Sequence, residues 1–193
     1  MDLRTSAAAA GTIFTVGHST RSLEDLVALL RAHGIRQLVD VRSIPRSRHN
    51  PQFNMETLGK ALRNRRIGYR HMKDLGGLRH ARAGLTVNQG WRNASFRGFA
   101  DYMQTERFQA ALGRLISQAA RKPAAIMCAE AVPWRCHRSL IADALTARGI
   151  AVRNIFSPGN AKPHALTRIA KVQGEHVTYP QPGAVAAPGE VAS

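Results

Sequence analysis

The chain has 193 residues, enough for one domain with a substantial core and short for two. Hydrophobic residues make up an ordinary 44%, but 28 Lys+Arg against 12 Asp+Glu give a formal net charge of +16, a field that attracts phosphate-bearing partners or acidic surfaces and says nothing about fold. Two cysteines exclude a disulfide framework, and no apolar run reaches the roughly 18–20 residues that span a bilayer, so no membrane partner and a reducing, cytoplasmic setting are expected.

Residues 1–10 read as a disordered N-terminus. Their alanines suggest a signal sequence, yet the apolar stretch runs straight into a strand, so export is rejected. Thr12–Val16 (TIFTV) predicts the first strand, and Ser22-Leu-Glu-Asp caps a helix that stops at Gly34. Gln37–Val41 (QLVDV) predicts a second strand, Met55–Arg65 a helix and Gly68–Met72 a third strand. Residues 73–95 read as a long loop, followed by helices over 96–104 and 106–121. Ala124–Met127 is a fourth strand, Arg138–Arg148 a helix ended by Gly149, and Ala151–Ile155 a fifth strand. Val177–Tyr179 adds a late edge strand, and the Pro/Gly/Ala-rich tail 181–193 reads as disordered.

This alternation predicts a single α/β domain over 11–180, with a mainly parallel sheet of about five strands and helices on both faces. Right-handed crossovers bring the carboxyl ends of the strands to one edge, where such folds bind ligands. Four polar groups fall there: Gly17-His18-Ser19, Asp40-Val41-Arg42-Ser43, the Leu75-Gly76-Gly77 loop and Cys128-Ala129-Glu130.

Cys128 closes an apolar strand, and the following loop carries Arg135, His137 and Arg138 to a helix start. Guanidinium groups and a helix N-terminus lower a thiol pKa, which makes Cys128 a candidate nucleophile; a buried strand-end cysteine is the plain alternative. His137, Glu130 and His18 are candidate acid/base or positioning groups. Asp40 is costly in an apolar strand unless paired with Arg42, Arg135 or Arg138, in either a catalytic or a purely structural bridge. Arg42, Ser43, Arg135, Arg138 and Ser19 are the expected anion contacts. The spacing of Cys128, Cys136 and His137 offers no second ligand pair, so no metal and no cofactor are expected. The segment Arg42–Lys73 holds nine basic residues against Glu56 alone, with Phe53, Tyr69 and Trp91 near it as stacking groups would be in a nucleic-acid groove.

GHSTRSLEDLVALL, VDVRSIPRSRHNPQF, YRHMKDLGGLR and MCAEAVPWRCHRSLIADAL together resemble the domain of unknown function 488 family, over residues 12–180. The resemblance implies a compact α/β domain with a site built from His18, Ser19, Asp40, Arg42, Ser43, Pro45, Cys128, Glu130, Cys136, His137 and Arg138, and names no substrate. A looser similarity links strand, Cys, loop, Arg and helix to rhodanese-like domains and cysteine phosphatases. This chain departs from both: six residues separate Cys128 from Arg135 instead of the phosphatase's five, Pro133 removes an N–H donor, and Glu130 opposes an anion.

The expectation is therefore a cysteine-dependent hydrolase or transferase acting on a phosphate-bearing small molecule or nucleic acid. A nucleic-acid-binding accessory protein with a structural Cys–His cluster is the alternative, and a metal-binding regulator the third.

Overall fold

Short runs of β-branched and apolar residues pair side by side because both of their faces are covered, which leaves no polar face to alternate. In the computed structural model, which describes residues 11–81 and 87–181, five such runs form parallel strands. They are β1 (Ile13–Gly17), β2 (Gln37–Asp40), β3 (Gly68–His71), β4 (Ala124–Cys128) and β5 (Val152–Ser157), in spatial order β3-β2-β4-β1-β5. A sixth strand, β6 (Asn160–Pro163), adds antiparallel to β5. The expectations for residues 1–10, 182–193 and 82–86 of the long loop lie outside the described residues.

Five helices cover the sheet: α1 (Leu23–Ala32), α2 (Met55–Arg63), α3 (Ala94–Met103), α4 (Glu106–Ala119) and α5 (Arg138–Ala147). Ser22 caps α1 in a reciprocal box with Asp25. Gly34 after α1 and Gly149 after α5 take positive φ, the left-handed turn that ends a helix without a Cβ clash. Helix α3 begins two residues before its predicted start, because the Asn93 side chain accepts the N–H groups of Ser95 and Phe96.

The period-two alternation of β4 divides the core. Ala125 and Met127 pack with Leu26, Leu30, Leu58 and Leu62 of α1 and α2. Ala124, Ile126 and Cys128 pack instead with Phe99, Leu112, Leu115, Leu140 and Ile141 of α3, α4 and α5. Cys128 is thus the last member of a core-facing row. Among the described residues no helix is long and apolar enough to cross a membrane.

Two features were not expected from sequence. The segment predicted as a late edge strand becomes β8 (His176–Thr178), which pairs with β7 (Lys171–Gln173) in a separate two-stranded sheet around Gly174. Behind it, buried Asp143 of α5 accepts hydrogen bonds from the Tyr179 hydroxyl at 2.8 Å and the Thr167 N–H at 3.0 Å, and pairs with His164 Nε2 at 2.8 Å. These bonds tie the last segment to the helix that follows the cysteine loop.

The end of β1 and the loop after β4 approach more closely than side chains permit. A Cβ on Gly17 would lie 1.8 Å from the Glu130 carbonyl oxygen. The ladder also runs on past the strands, from His18 N–H to Cys128 O (3.0 Å) and from Ser19 N–H to Ala129 O (2.8 Å). Gly17→Ala is expected to lower the melting temperature sharply or abolish folding, since backbone faces backbone there. Gly113→Ala on α4, where a Cβ would meet nothing within 4 Å, is expected to stabilise by about 0.5–1 kcal/mol. Thermal melts of the two variants test the contrast.

Candidate functional site

The carboxyl ends of β1, β2 and β4 open into a cleft of about 710 Å³. Of the residues singled out from sequence, His18, Ser19, Arg42, Ser43, Cys128, Glu130, Arg135 and His137 line it, as does Cys136. Asp40 and Arg138 do not; both lie beneath it, at 0% and 1% exposure. The cleft also takes Arg46, Ser47 and Asn50 from the segment after β2, and Gly77, Leu78 and Phe96 from the opposite wall.

Its floor is built on one buried ion pair. Arg42 Nε donates to both Asp40 oxygens at 2.9 and 3.1 Å, and Nη2 donates to Asp40 Oδ2 at 2.5 Å and to the Phe53 carbonyl at 2.7 Å. The Tyr69 hydroxyl donates to Asp40 Oδ2 at 2.7 Å, and His71 Nε2 donates to the Arg42 carbonyl at 2.8 Å. Burial works against the charge on Arg42, but its bonds to Asp40 outweigh this and raise its pKa. Burial, with Asp40 beside it, likewise pushes the Tyr69 hydroxyl up and keeps it a proton donor.

His18 is held neutral by the same network. Its Nδ1–H donates to the Ser19 carbonyl at 2.9 Å, which leaves Nε2 to accept from Arg42 Nη1 at 3.2 Å. Burial lowers the His18 pKa and Arg42 adds to that, against the Ser19 bond. Its ring lies against Phe53, with centroids 4.2 Å apart. Of the partners open to Asp40, the structure selects Arg42, in a bridge at the floor of the cleft.

Above this floor stand the two thiols, both free. A 3-10 turn at Pro133–Arg135 returns the chain so that Cys136 Sγ donates to Cys128 Sγ at 2.7 Å. Cys136 Sγ in turn receives the Arg138 N–H at 3.4 Å, the first turn of α5. The hydrogen bond from Cys136 is the main cause that lowers the Cys128 pKa, with His137 and Arg138 adding to it against burial. Burial and the adjoining thiolate push Cys136 the other way. The pair thus favours the negative charge on Cys128 over Cys136.

Arg138 is the counter-charge. Its Nη2 reaches the Ala131 carbonyl at 3.5 Å, while Nε and Nη1 have no hydrogen-bond partner among the described residues. A buried guanidinium without a carboxylate needs another anion nearby, and the Cys128 sulfur supplies it.

His137 makes no capping bond with its side chain. Its Nε2 donates to the Val41 carbonyl at 2.9 Å, and its Nδ1 stands 3.6 Å from Cys136 Sγ. Gly77 makes that approach possible, since a Cβ there would stand 2.5 Å from Nδ1.

Cys128, Cys136 and His137 also present ligand atoms within 4.8 Å of one another, the grouping a soft cation would need. Two thiolates on a tetrahedral ion at about 2.3 Å would stand about 3.8 Å apart. Here the sulfurs are 2.7 Å apart and already share a proton beside a buried cation, an arrangement that suits thiol chemistry better.

Sequence reasoning missed three things. Cys136 is a proton donor to Cys128, Gly77 is the space beside His137, and Tyr69 belongs to the Asp40 network. The stacking row read from Phe53, Tyr69 and Trp91 does not form: Phe53 is fully buried, Tyr69 is bound to Asp40, and Trp91 packs on Phe96 and Tyr179.

Among families, the model described as Domain of unknown function DUF488 matches residues 22–145, more than half of the chain. It spans α1 through most of α5, including Asp40, Arg42 and both cysteines, and is narrower than the resemblance read over 12–180. No curated protein and no solved structure matches.

Replacing Asp40 by Asn removes the charge that neutralises Arg42 while keeping the shape. The expected cost is roughly 3–5 kcal/mol, because an uncompensated buried charge remains. Urea unfolding of D40N measures it, and a loss under 1 kcal/mol would show that Arg42 finds another anion.

Proposed function

The chain belongs to the DUF488 family, and from that premise we propose that it is a cysteine-dependent hydrolase or transferase acting on a phosphate-bearing substrate in the cleft. The single observation that carries this reading is the placement of Cys128: its sulfur is hydrogen-bonded by Cys136, on a cleft wall at the carboxyl edge of a parallel sheet, with Arg138 lowering its pKa.

In this reading the Cys128 thiolate attacks the electrophilic centre of the substrate. A bond to sulfur forms as the bond to the leaving oxygen breaks, that oxygen takes its proton from water, and Glu130 on the same wall orients that water. Water or an acceptor hydroxyl then releases the group from sulfur. The exposed guanidiniums of Arg46 and Arg135, with Ser19 and Ser43, hold the anion. Arg42 serves instead as a positioning residue, since its donors face Asp40, Phe53 and His18. The charge of +16 speeds the arrival of such substrates, and a reduced dithiol suits the cytoplasm.

The nucleic-acid accessory reading keeps the charge in its favour but loses Phe53 to the core, with Tyr69 and Trp91 only partly exposed and engaged by Asp40 and by Phe96 and Tyr179.

Iodoacetamide kinetics test the proposal. A depressed pKa keeps the charged form at acid pH, so Cys128 alkylation is expected to change little between pH 8.5 and pH 6, while free cysteine slows by about 160-fold. Alkylation that needs denaturant returns Cys128 to the core and ends the nucleophile reading. Inorganic phosphate is expected to slow the reaction, and Arg46→Ala with Arg135→Ala to abolish that protection without changing the unprotected rate more than about threefold. Lack of protection in the wild-type protein removes the phosphate assignment alone.

A further inference from the structure

Cys136 has no role in the reaction proposed above beyond donating its proton, yet its sulfur touches that of Cys128. The two are eight positions apart, and the Pro133–Arg135 turn has already brought them together, so a covalent bond between them needs no backbone rearrangement. His137 Nδ1 stands 3.6 Å from Cys136 Sγ, held there by the Val41 carbonyl on the far side of the ring. Cys136 and His137, which the anion chemistry leaves over, thus stand beside the Cys128 sulfur as a second thiol and a ring nitrogen within reach of its proton.

We propose that Cys128 and Cys136 are a two-electron redox centre that reduces small hydroperoxides, with Cys128 as the oxidised thiolate, Cys136 as the resolving thiol and His137 as the base between them. The inference rests on the Cys128 thiolate and not on the phosphate assignment.

The steps balance as follows. The Cys128 thiolate attacks the terminal oxygen of ROOH, the O–O bond breaks, and RO⁻ takes a proton from water to leave as ROH. Cys128 is then a sulfenic acid. Cys136 gives its proton to His137 Nδ1 and attacks the Cys128 sulfur; the S–O bond breaks, and the departing hydroxide recovers that proton as water. An external dithiol reduces the disulfide and restores both thiols.

Exposure selects the oxidant. Cys128 is 6% and Cys136 3% exposed, so a protein disulfide, which needs in-line access for two bulky partners, is excluded in favour of a small hydroperoxide. The buried Arg138 stabilises the thiolate before the reaction, and its charge is left uncompensated once the disulfide forms. That draws the equilibrium back toward the reduced, ionised pair and makes the bond readily reducible.

The test is intact mass spectrometry of the full chain after one equivalent of hydrogen peroxide, with chelator present and dimedone added in parallel. The wild-type protein is expected to lose two hydrogens, yield a Cys128–Cys136 cross-linked peptide, form no dimedone adduct and recover fully with dithiothreitol. Cys136→Ser, which keeps a proton donor beside Cys128, is expected to give the dimedone adduct at Cys128 and several-fold more sulfinic and sulfonic acid, while Cys136→Ala, which also loses that donor, is expected to react more slowly with peroxide and to end as the dimedone adduct. His137→Gln is expected to slow disulfide closure, read as a higher ratio of dimedone adduct to disulfide for the same amount of Cys128 oxidised.

A wild-type protein that accumulates the dimedone adduct or over-oxidises as fast as the Cys136 variants overturns the resolving role, whether or not the variants fold. A wild-type protein inert to peroxide whose Cys128 is still alkylated rapidly at pH 6 also overturns the redox centre, yet leaves the thiolate reading standing. A stoichiometric metal that survives the chelator and blocks both reagents overturns it as well.

Discussion

The cleft depends on the contact between Asp40 and Arg42. A carboxylate at 0% exposure and a guanidinium at 6% each cost several kcal/mol to desolvate, and their attraction offsets this only if the remaining donors and acceptors are also met. Here they are met by three other segments. Tyr69 comes from β3, the Phe53 carbonyl from the turn before α2, His18 from the end of β1, and His71 closes on the Arg42 backbone. The pair fixes where β1, β2 and β3 end relative to one another, and so where the cleft begins. It also commits the side chains that looked most suited to acid–base work, His18 and Asp40, to holding that geometry.

The two buried arginines solve the same electrostatic problem differently. Arg42 has a carboxylate two residues away, whereas Arg138 has two unpartnered donor nitrogens and the cysteine pair. With 28 basic residues and 12 acidic ones, carboxylates are scarce in this chain. A thiolate is the anion that remains. Its cost of burial is shared between the Arg138 charge and the proton that Cys136 donates, and neither suffices alone: the field of Arg138 lowers the Cys128 pKa, but the hydrogen bond is the larger cause. Loss of the Cys136 proton therefore alters Cys128 more than loss of any exposed charge.

Much of this was legible in the sequence. Period and turn residues locate the five parallel strands, because a buried strand in a parallel sheet is a short apolar run with punctuation at both ends. The gathering of His18, Ser43, Cys128 and His137 in one cleft follows from the parallel order alone. The partner of Asp40 was open among three arginines, and proximity along the chain favoured the right one. What the sequence hides is whatever depends on where a loop turns back. Cys136 meets Cys128 only because Pro133–Arg135 makes a tight turn, and a spacing of eight residues does not encode that. Phe53 and Tyr69 look like surface aromatics in a basic segment; their burial follows from the Asp40–Arg42 pair, which calls in their carbonyl and hydroxyl. Strands β6 and β7 carry polar residues and a proline on exposed edges, where no apolar pattern is needed.

The position of Cys128 reconciles a low exposure with a reactive thiol. Strand alternation puts its side chain on the α3–α5 face with Ala124 and Ile126, while the strand end puts the same sulfur at the boundary of the cleft. One residue earlier, at Met127, the row faces α1 and α2 and is fully buried; one residue later, at Ala129, the chain is exposed. Only at 128 does a side chain have the core behind it, the Arg138 charge beside it and the cleft in front. The core side keeps the field of Arg138 unscreened by water, and the cleft side admits a reagent. A register shift of one residue in β4 would lose both, which makes the close approach of Gly17 to the Glu130 carbonyl part of the chemistry, because that contact sets the register at the strand end.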